Sequence, residues 1–425
     1  MIQSSEHAVA VKGRSIDAVV TVPGSKSIAN RALVCAALAR GPSTINGLPD
    51  GDDTQAMLQS LKVLGATINL HGATAHFEQS MDLIREDSVT VNANLAGTTA
   101  RFLTAIGALR KGSLTVTGNE SLRIRPMKDL HLALDQLGAG ISWQGDKYCL
   151  PVTVRRGVLS SDSIQVAANT SSQFVTSLML IAPMLDNGLR IELVGEIISL
   201  PYITMSASVM RAFGANVRVV DERNIVIDGG GYVGCEFTIE PDASSASYPF
   251  AAVAVAGGRV LVNGMKSNMM QGDSRFADVL RQMGCEIVED QVGITISRTA
   301  NKPLQGVDID MSEISDLVPT LAIVSMFAET ATRIRGVGFI RNKESDRIGD
   351  LAAEMRRLGA NVVEHPDGLE ISPQPLHSGR CDTHHDHRLA MALGVAGLKL
   401  PGLIISDPQV VSKSWPQFWE MLEAL

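Results

Sequence analysis

Aromatic residues are scarce in this 425-residue chain, at 4%, and charged residues make up only 19%. A core must then be built mainly from Ala, Val, Leu, Ile and Met, which the 45% hydrophobic content and 17 methionines supply. Long apolar runs are missing. Residues 174–185 are interrupted by Thr176, Ser177 and Pro183, so they fall short of the ~20 residues a membrane-spanning helix needs. The opening Met1-Ile2-Gln3-Ser4-Ser5-Glu6 has neither a basic region nor an apolar segment, which argues against secretion. Cysteine is sparse: Cys35, Cys149, Cys235, Cys285 and Cys381 are odd in number and dispersed. They are expected to be reduced structural residues in a cytoplasm. A net charge of −8 argues against general nucleic-acid binding and leaves room only for a local basic pocket. Low-complexity segments and long linkers are absent. A chain of this length exceeds one core, so two domains are expected.

What is present is a weak repeat, returning about every 70–76 residues. An apolar helix tail closing on Gly plus a small residue occurs at 61–66, 134–139, 210–215, 280–285 and 355–360. Ile68, Ile141, Val217, Ile287 and Val362 follow two residues later, the signature of helix, Gly stop, strand. A second helix-to-strand signal recurs at Gly41, Gly112, Gly188, Gly258, near Ala331 and at Gly402. The helices feeding it start at Ser25-Lys26-Ser27, Gly97-Thr98-Thr99, Ser171-Ser172-Gln173, Asp242-Ala243-Ser244-Ser245, Ser315-Asp316 and His385-Asp386-His387-Arg388. Ser25, Thr98, Ser171 and Ser244 lie 73 residues apart. Six such starts aimed at one place would make a strong anion site, because each offers unpaired N–H groups and a positive dipole end.

The sixth copy ends in an amphipathic helix, 415–425, with no strand after it. The Val-rich segments 8–12 and 18–22 are expected to supply the missing strands of that last repeat. Six copies divide into two groups of three, with crossings near Val22-Pro23 and Glu240-Pro241. The expected domains are a discontinuous one, 1–22 plus 242–425, and an inserted one, 23–241, facing across a cleft that holds the active site. Strand pieces at 89–91, 114–116, 217–219, 225–227 and 294–296 alternate with helices such as the one carrying Met57, Leu58, Leu61 and Leu64. The fold class is α/β (α+β).

The chemistry gathers at helix starts. Residues 23–31 combine a turn, a cap and the cations Lys26 and Arg31, with Ser27 and Arg31 on one helical face. This is not a nucleotide-hydrolase phosphate loop, which needs Gly-x4-Gly-Lys-Ser/Thr. Residues 169–174 offer consecutive side chains that hydrogen-bond a phosphate or hydroxyl, or simply a redundant cap. In 342–347, Lys343 and Arg347 share a face and Glu344 sits beside both; a solvated charged turn is the plainer reading. Residues 382–388 hold three His and two Asp, which suggests a metal. Neighbours in sequence rarely converge on one ion, however, and no partner cluster of His or Cys exists elsewhere. An anion contact through His387 and Arg388 is therefore expected instead.

Jointly, segments 23–31, 96–101, 125–126, 171–174, 242–248, 270–278, 343–347 and 386–388 resemble the signatures of the 5-enolpyruvylshikimate-3-phosphate synthase family, in order and spacing, across essentially the whole chain. The resemblance implies two similar domains, each of three βαβαββ repeats, forming an inside-out α/β barrel with pseudo-threefold symmetry. It implies transfer of the enolpyruvyl group of phosphoenolpyruvate to the 5-hydroxyl of shikimate 3-phosphate, with phosphate released, by addition and elimination through a tetrahedral intermediate. It implies a cytoplasmic monomer with no cofactor and no metal, acting on two anionic small molecules and on neither nucleic acid nor membrane. Carried over, Ser171, Ser172, Ser199 and Lys343 match the grip on the 3-phosphate, and Ser27 and Arg31 the carboxylate contacts. Tyr202 and Gln173 line that pocket. Lys26, Arg125, Arg347, His387, Arg388 and Lys413 match positions around phosphoenolpyruvate, with Gly97, Thr98 and Gln173 close by. Lys26, Asp316 and Glu344 match the catalytic groups: Asp316 at the 5-hydroxyl, assisted by Lys26, and Glu344 at the methylene carbon. The order in which they act is not set by the sequence. Because the cations fall in both domains, like-charge repulsion that substrates relieve is also expected.

Two positions depart from the family pattern. Leu95 and Phe339 stand where polar Asn is usual, which bears on affinity and on response to glyphosate, the family's phosphonate inhibitor. Gly97 keeps the small residue that leaves room for that inhibitor. The alternatives are UDP-N-acetylglucosamine enolpyruvyltransferase, which usually carries a reactive Cys on a loop of the inserted domain, and a non-catalytic phosphometabolite-binding paralogue. No Cys lies between Cys35 and Cys149, and Lys26, Asp316 and Glu344 are all present.

Overall fold

Two kinds of helix alternate along the chain, and their composition decides where each goes. One kind is apolar or small on nearly every face: α1 (Lys26–Leu38), α2 (Gly97–Gly107), α3 (Ser172–Ile181), α4 (Ala243–Ala256), α5 (Val318–Ser325) and α6 (His387–Gly397). A helix without a polar stripe has to be surrounded by protein, and every residue of α5 and α6 is buried. The other kind buries one stripe only; in Gly349–Arg357 it is Leu351, Ala352, Glu354 and Met355. The computed structural model describes residues 6–9, 15–159, 161–169, 171–299 and 301–425. The strand expected over Ala10, Val11 and Lys12 lies outside them, as does Thr170.

Five of the one-sided helices stop in the same way. At Gly65 the backbone turns left-handed, φ 100°, so that Gly65 N bonds Lys62 O at 3.0 Å and Ala66 N bonds Leu61 O at 3.1 Å. The same pair of bonds closes the helices at Gly138, Gly214, Gly284 and Gly359. This Schellman geometry satisfies the last carbonyls and turns the chain straight into a strand.

Five sheets follow one plan, two parallel strands and then an antiparallel pair, and a sixth shows the parallel pair and one antiparallel strand among the described residues. Val89–Asn92 runs parallel to Leu114–Thr117, which pairs antiparallel with Val152–Arg155 and through it with Gly140–Trp143. Ser163–Ala167, Leu189–Val194, Asn224–Ile227 and Val217–Val219 repeat the order, as do Asp308–Asp310, Thr332–Arg335, Gly368–Ser372 and Asn361–His365. Along Leu189–Val194 the burial alternates strictly, Leu189, Ile191 and Leu193 inward and Arg190 and Glu192 outward. One face of the sheet is thus wet and the helices lie on the other.

The chain divides into two compact units, Met1–Pro23 with Glu240–Leu425, and Gly24–Ile239. α1, α2 and α3 pack on one another in the second unit, and α4, α5 and α6 do so in the first. Each unit is therefore three βαβαββ copies with helices inside and sheets outside, the inside-out α/β barrel.

One strand assignment needs correction. The last sheet is closed by Glu6–Ala8, antiparallel to Ile404–Ser406. The second N-terminal strand, Ile16–Val20, does not join it; it runs parallel to Gly258–Asn263 in the sheet that follows α4. In exchange Glu236–Thr238, which leads into α4, runs parallel to Ser43–Asn46 after α1. The two leading strands have changed places. No helix among the described residues is long and apolar enough to cross a membrane.

Candidate active site

In the Gly24–Ile239 unit, α1 carries Lys26 at its first position and Ser27 and Arg31 one turn apart. Lys26 Nζ lies 3.0 Å from Asp53 Oδ2, at the start of helix Asp52–Val63. The backbone carbonyl of Asp53 accepts from Thr99 Oγ1 at 3.4 Å, so this acid ties the start of α1 to that of α2. Neither helix is capped by a side chain: Ser25 and Ala96 occupy the cap positions without accepting from the first turn. A Cβ built on Gly97 would collide with Arg101 Nη1 and come 3.7 Å from Arg125 Nη1. Arg101 also lies over the Phe174 ring, 5.8 Å from its centroid. Lys26, Gly97, Thr98 and Arg125 thus belong to one cationic helix-start cluster, suited to an anion.

Arg31 anchors a second cluster. It is 2% exposed, and donates from Nε to Ser206 Oγ at 2.8 Å, from Nη1 to the Ser27 carbonyl at 2.7 Å and from Nη2 to Thr176 Oγ1 at 3.3 Å. The Phe102 and Tyr202 rings lie 5.6 and 6.0 Å from its guanidinium carbon. Burial lowers its pKa to about 10, opposed by Tyr202 and Cys35, so it stays cationic near neutrality. These three bonds use three of the five guanidinium N–H groups. Ser171 caps α3 by accepting from Gln173 N at 3.3 Å, and buried Ser172 follows it. Ser199 stands left-handed, φ 57°, at the cap of helix Leu200–Ala212, which carries Tyr202. Non-glycine residues in that region are strained by about 1–3 kcal/mol and gather at functional sites.

The other unit holds a denser network. Asp386 caps α6 by accepting from Arg388 N at 2.9 Å, and the same buried carboxylate takes Arg347 Nε at 2.7 Å and Ser345 Oγ at 3.1 Å. Arg347, 1% exposed, also donates to Asp316 Oδ1 at 3.0 Å and Glu344 Oε2 at 2.8 Å. Arg388 Nη2 reaches Asp316 Oδ2 at 2.7 Å, and Lys413 Nζ reaches Glu344 Oε1 at 3.0 Å. Burial alone would raise the Asp316 pKa, but Arg388 and Arg347, with Lys343, outweigh it and hold this carboxyl well below the usual range. The mirror effect keeps Arg347 firmly charged: Asp386, Glu344 and Asp316 outweigh its desolvation. Lys343 Nζ lies 5.8 Å from the centre of the Phe339 ring, which faces the cation with its π surface. His387 is buried at the first position of α6, Nδ1 3.5 Å from Asp386 Oδ1.

Here one expectation fails. The helix starts are not six equivalent anion sites, because Asp242 accepts from Ser245 N at the start of α4 and Asp386 caps α6. Their dipoles already face carboxylates. Within this unit Arg347, Arg388 and Lys413 are each paired with a carboxylate. In 382–388 the histidines diverge, His384 onto Glu354 and His385 onto Asp407, each at 3.1 Å. Among the described residues no group of three or more His, Cys, Asp or Glu is placed to hold a metal. Asp53, Arg101, Thr176 and Ser206 were not singled out from the sequence. Asp53 reads locally as an ordinary acidic first turn, and the Ser206 and Thr176 hydroxyls as helix-interior polar residues.

Two barrels of inward helices whose starts carry Lys, Arg, Ser and paired carboxylates define an α/β protein that handles small polyanions. A family model for EPSP synthase (3-phosphoshikimate 1-carboxyvinyltransferase) matches residues 11–422. The chain is 40% identical to the 3-phosphoshikimate 1-carboxyvinyltransferase of Nostoc punctiforme, over 96% of this chain and 97% of that one. It is 38% identical to the enzyme of the same name from Methanosphaerula palustris, over 96% and 97%. The solved EPSP synthase of Acinetobacter baumannii superposes with a TM-score of 0.81 at 24% identity, covering 99% of this chain and 98% of that one. The chain belongs to the EPSP synthase family of 3-phosphoshikimate 1-carboxyvinyltransferases, and it is an enzyme.

Proposed function

We infer that the chain transfers the enolpyruvyl group of phosphoenolpyruvate to the 5-hydroxyl of shikimate 3-phosphate and releases phosphate, as a monomer in the cytoplasm, with Lys26, Asp316 and Glu344 as catalytic groups. The observation that supports the residue roles best is that Asp316 and Glu344 each sit against two cations, with Arg347 shared between them. Shikimate 3-phosphate is held by Ser171, Ser172, Ser199 and Lys343 at its phosphate, by Ser27 and Arg31 at its carboxylate, and by Gln173 and Tyr202 around its ring. Phosphoenolpyruvate takes Lys26, Gly97, Thr98, Arg125, Gln173, Arg347, His387, Arg388 and Lys413. Guanidinium forks suit both of its anionic groups. The reading requires both units to act on one substrate pair.

In the addition, Asp316 takes the proton of the 5-hydroxyl as that oxygen bonds C2 of phosphoenolpyruvate, while Glu344 gives a proton to the C3 methylene. In the elimination, the Glu344 carboxylate takes a proton back from the new methyl group, the C2–O bond to phosphate breaks with its electron pair departing on phosphate, and the double bond re-forms. Glu344 begins in an ion pair with Arg347 and Lys413. Arrival of phosphoenolpyruvate brings anions that compete for those cations, which favours uptake of the proton Glu344 must donate. Glu344→Gln should lower turnover about 10²–10⁴-fold, read as phosphate release, while calorimetry still shows shikimate 3-phosphate binding. Binding lost together with turnover would make Glu344 a ligand-holding residue instead.

A further inference from the structure

One buried carboxyl of the Glu240–Leu425 segment has no part in the scheme above. Asp273, 6% exposed, sits in the turn Gly272–Arg275, which is fastened to the start of α4. Gln271 Oε1 accepts from Ala243 N at 2.9 Å, Gln271 Nε2 donates to the Pro241 carbonyl at 2.7 Å, and Glu240 Oε1 accepts from Met270 N at 3.1 Å. So held, Asp273 accepts a hydrogen bond from the Ser244 hydroxyl. Ser244 Oγ accepts in turn from Arg388 Nη2 at 3.4 Å, and that same nitrogen donates to Asp316 Oδ2 at 2.7 Å. The donors run one way, Arg388 to Ser244 to Asp273. A half-buried carboxyl and a buried one therefore share one guanidinium nitrogen, Asp316 directly and Asp273 through a hydroxyl.

The two are not equivalent. Burial, then Asp316, push Asp273 up to about 7, with Asp242 in the same direction, against the Ser244 hydrogen bond and Arg388. Asp316, gripped by Arg388 and Arg347, is held low. Asp273 is the more basic of the two, and it accepts from the Ser244 hydroxyl where Asp316 accepts from two guanidinium groups.

We propose that Asp273 and Ser244 are positioning residues for the proton abstraction by Asp316: together they fix Arg388, and the charge on Asp273 sets how strongly Asp316 takes a proton. When Asp273 ionises it draws on Arg388 through Ser244 and repels Asp316, so Asp316 becomes a better base for the 5-hydroxyl. Asp316, Arg388 and Asp242 are the charged groups that act on Asp273. The inference rests on the role given to Asp316 above.

The test is steady-state kinetics of the full chain from pH 5.5 to 9 with Ser244→Ala, Asp273→Asn and, as reference, Asp316→Asn. Ser244→Ala should lower kcat roughly 10-fold, the size of about one charge-assisted hydrogen bond, with KM for shikimate 3-phosphate nearly unchanged. Asp273→Asn keeps an acceptor for Ser244 but loses the charge, so kcat should lose its rise through about pH 7. Wild-type kcat in Ser244→Ala together with a wild-type pH profile in Asp273→Asn, while Asp316→Asn is inactive, would overturn the inference and leave the reading beneath it standing. Full turnover by Asp316→Asn would overturn both.

Discussion

Gly97 stands where any larger residue meets Arg101 Nη1 first and approaches Arg125 Nη1 next. A methyl group there adds bulk beside the anion site proposed above. The structure routes the effect through Arg101, whose guanidinium is held over Phe174 and has to move. Overpacking of this size costs about 1–3 kcal/mol, so Gly97→Ala should weaken glyphosate roughly 5- to 150-fold and phosphoenolpyruvate less. Inhibition and Michaelis constants measured side by side check it; equal loss for both ligands, or none, contradicts it. Asp273 makes a different prediction, on stability. Its folded pKa, about 7, lies above the ordinary 3.8, so the folded chain keeps a proton that the unfolded chain releases. That contribution is complete below about pH 4 and is lost as pH rises through 7, opposite to Asp316, whose contribution is lost as pH falls below its ordinary range. The stability of Asp273→Asn relative to the parent chain should therefore grow between pH 5 and pH 8 in denaturant titrations; a constant difference would contradict it.

At the scale of elements, the helix stops and caps carry separable energies. Gly214 is left-handed, φ 81°, and a Cβ there would meet only Val233, at an ordinary 3.5 Å. Gly214→Ala should then cost about 1–2 kcal/mol from backbone conformation alone, seen as a lowered denaturation midpoint with unchanged slope. Asp386 is a cap and an ion-pair partner at once. Asp386→Ala removes the cap of α6 and one of the three carboxylates around buried Arg347, which should cost about 3–5 kcal/mol. Asp386→Asn, which keeps an acceptor, should cost less in the same thermal melts. Such stops were legible beforehand because their signal is local: a Gly after an apolar helix tail forces one geometry wherever it occurs. The strand over Ile16–Val20 was misplaced because nothing in its own alternation says whether its neighbour is Ile404–Ser406 or Gly258–Asn263. Partner choice is a non-local matter. The site divided likewise. Cations at helix starts stood out, while Asp53 looked like the acid any helix favours in its first turn and Asp242 like one more polar helix start. Only the fold shows the first paired with Lys26 and the second spending its carboxylate on the cap of α4.

For the molecule as a whole, the exchange of leading strands decides which pieces are self-sufficient. Residues Gly24–Ile239 form a continuous segment that contains both Ser43–Asn46 and its parallel partner Glu236–Thr238, and Gly24 packs against Gly47 and Ile239. This segment expressed alone should fold and unfold cooperatively, as followed by circular dichroism. Residues 240–425 alone lack Glu6–Ala8 and Ile16–Val20. Two sheets would then present open edges, and association in sedimentation experiments is expected. Failure of the first to fold, or a monomeric native-like second, would show that the units depend on each other in some other way.

The antiparallel closure of Glu6–Ala8 on Ile404–Ser406 also has a mechanical meaning. Glu6 faces Ser406 and Ala8 faces Ile404, so the chain departs toward both its ends from the same side of the pair. Tension applied between the termini would open these strands one residue pair at a time, like a zip, at low force. Ile16–Val20 is parallel to its neighbour Gly258–Asn263 and would have to be sheared. Between Pro23 and Asp242 the Pro23 carbonyl accepts from Asp242 N at 2.8 Å, which closes the chain across the two crossings. While that clasp holds, a pull on the ends runs past the inserted segment without loading it.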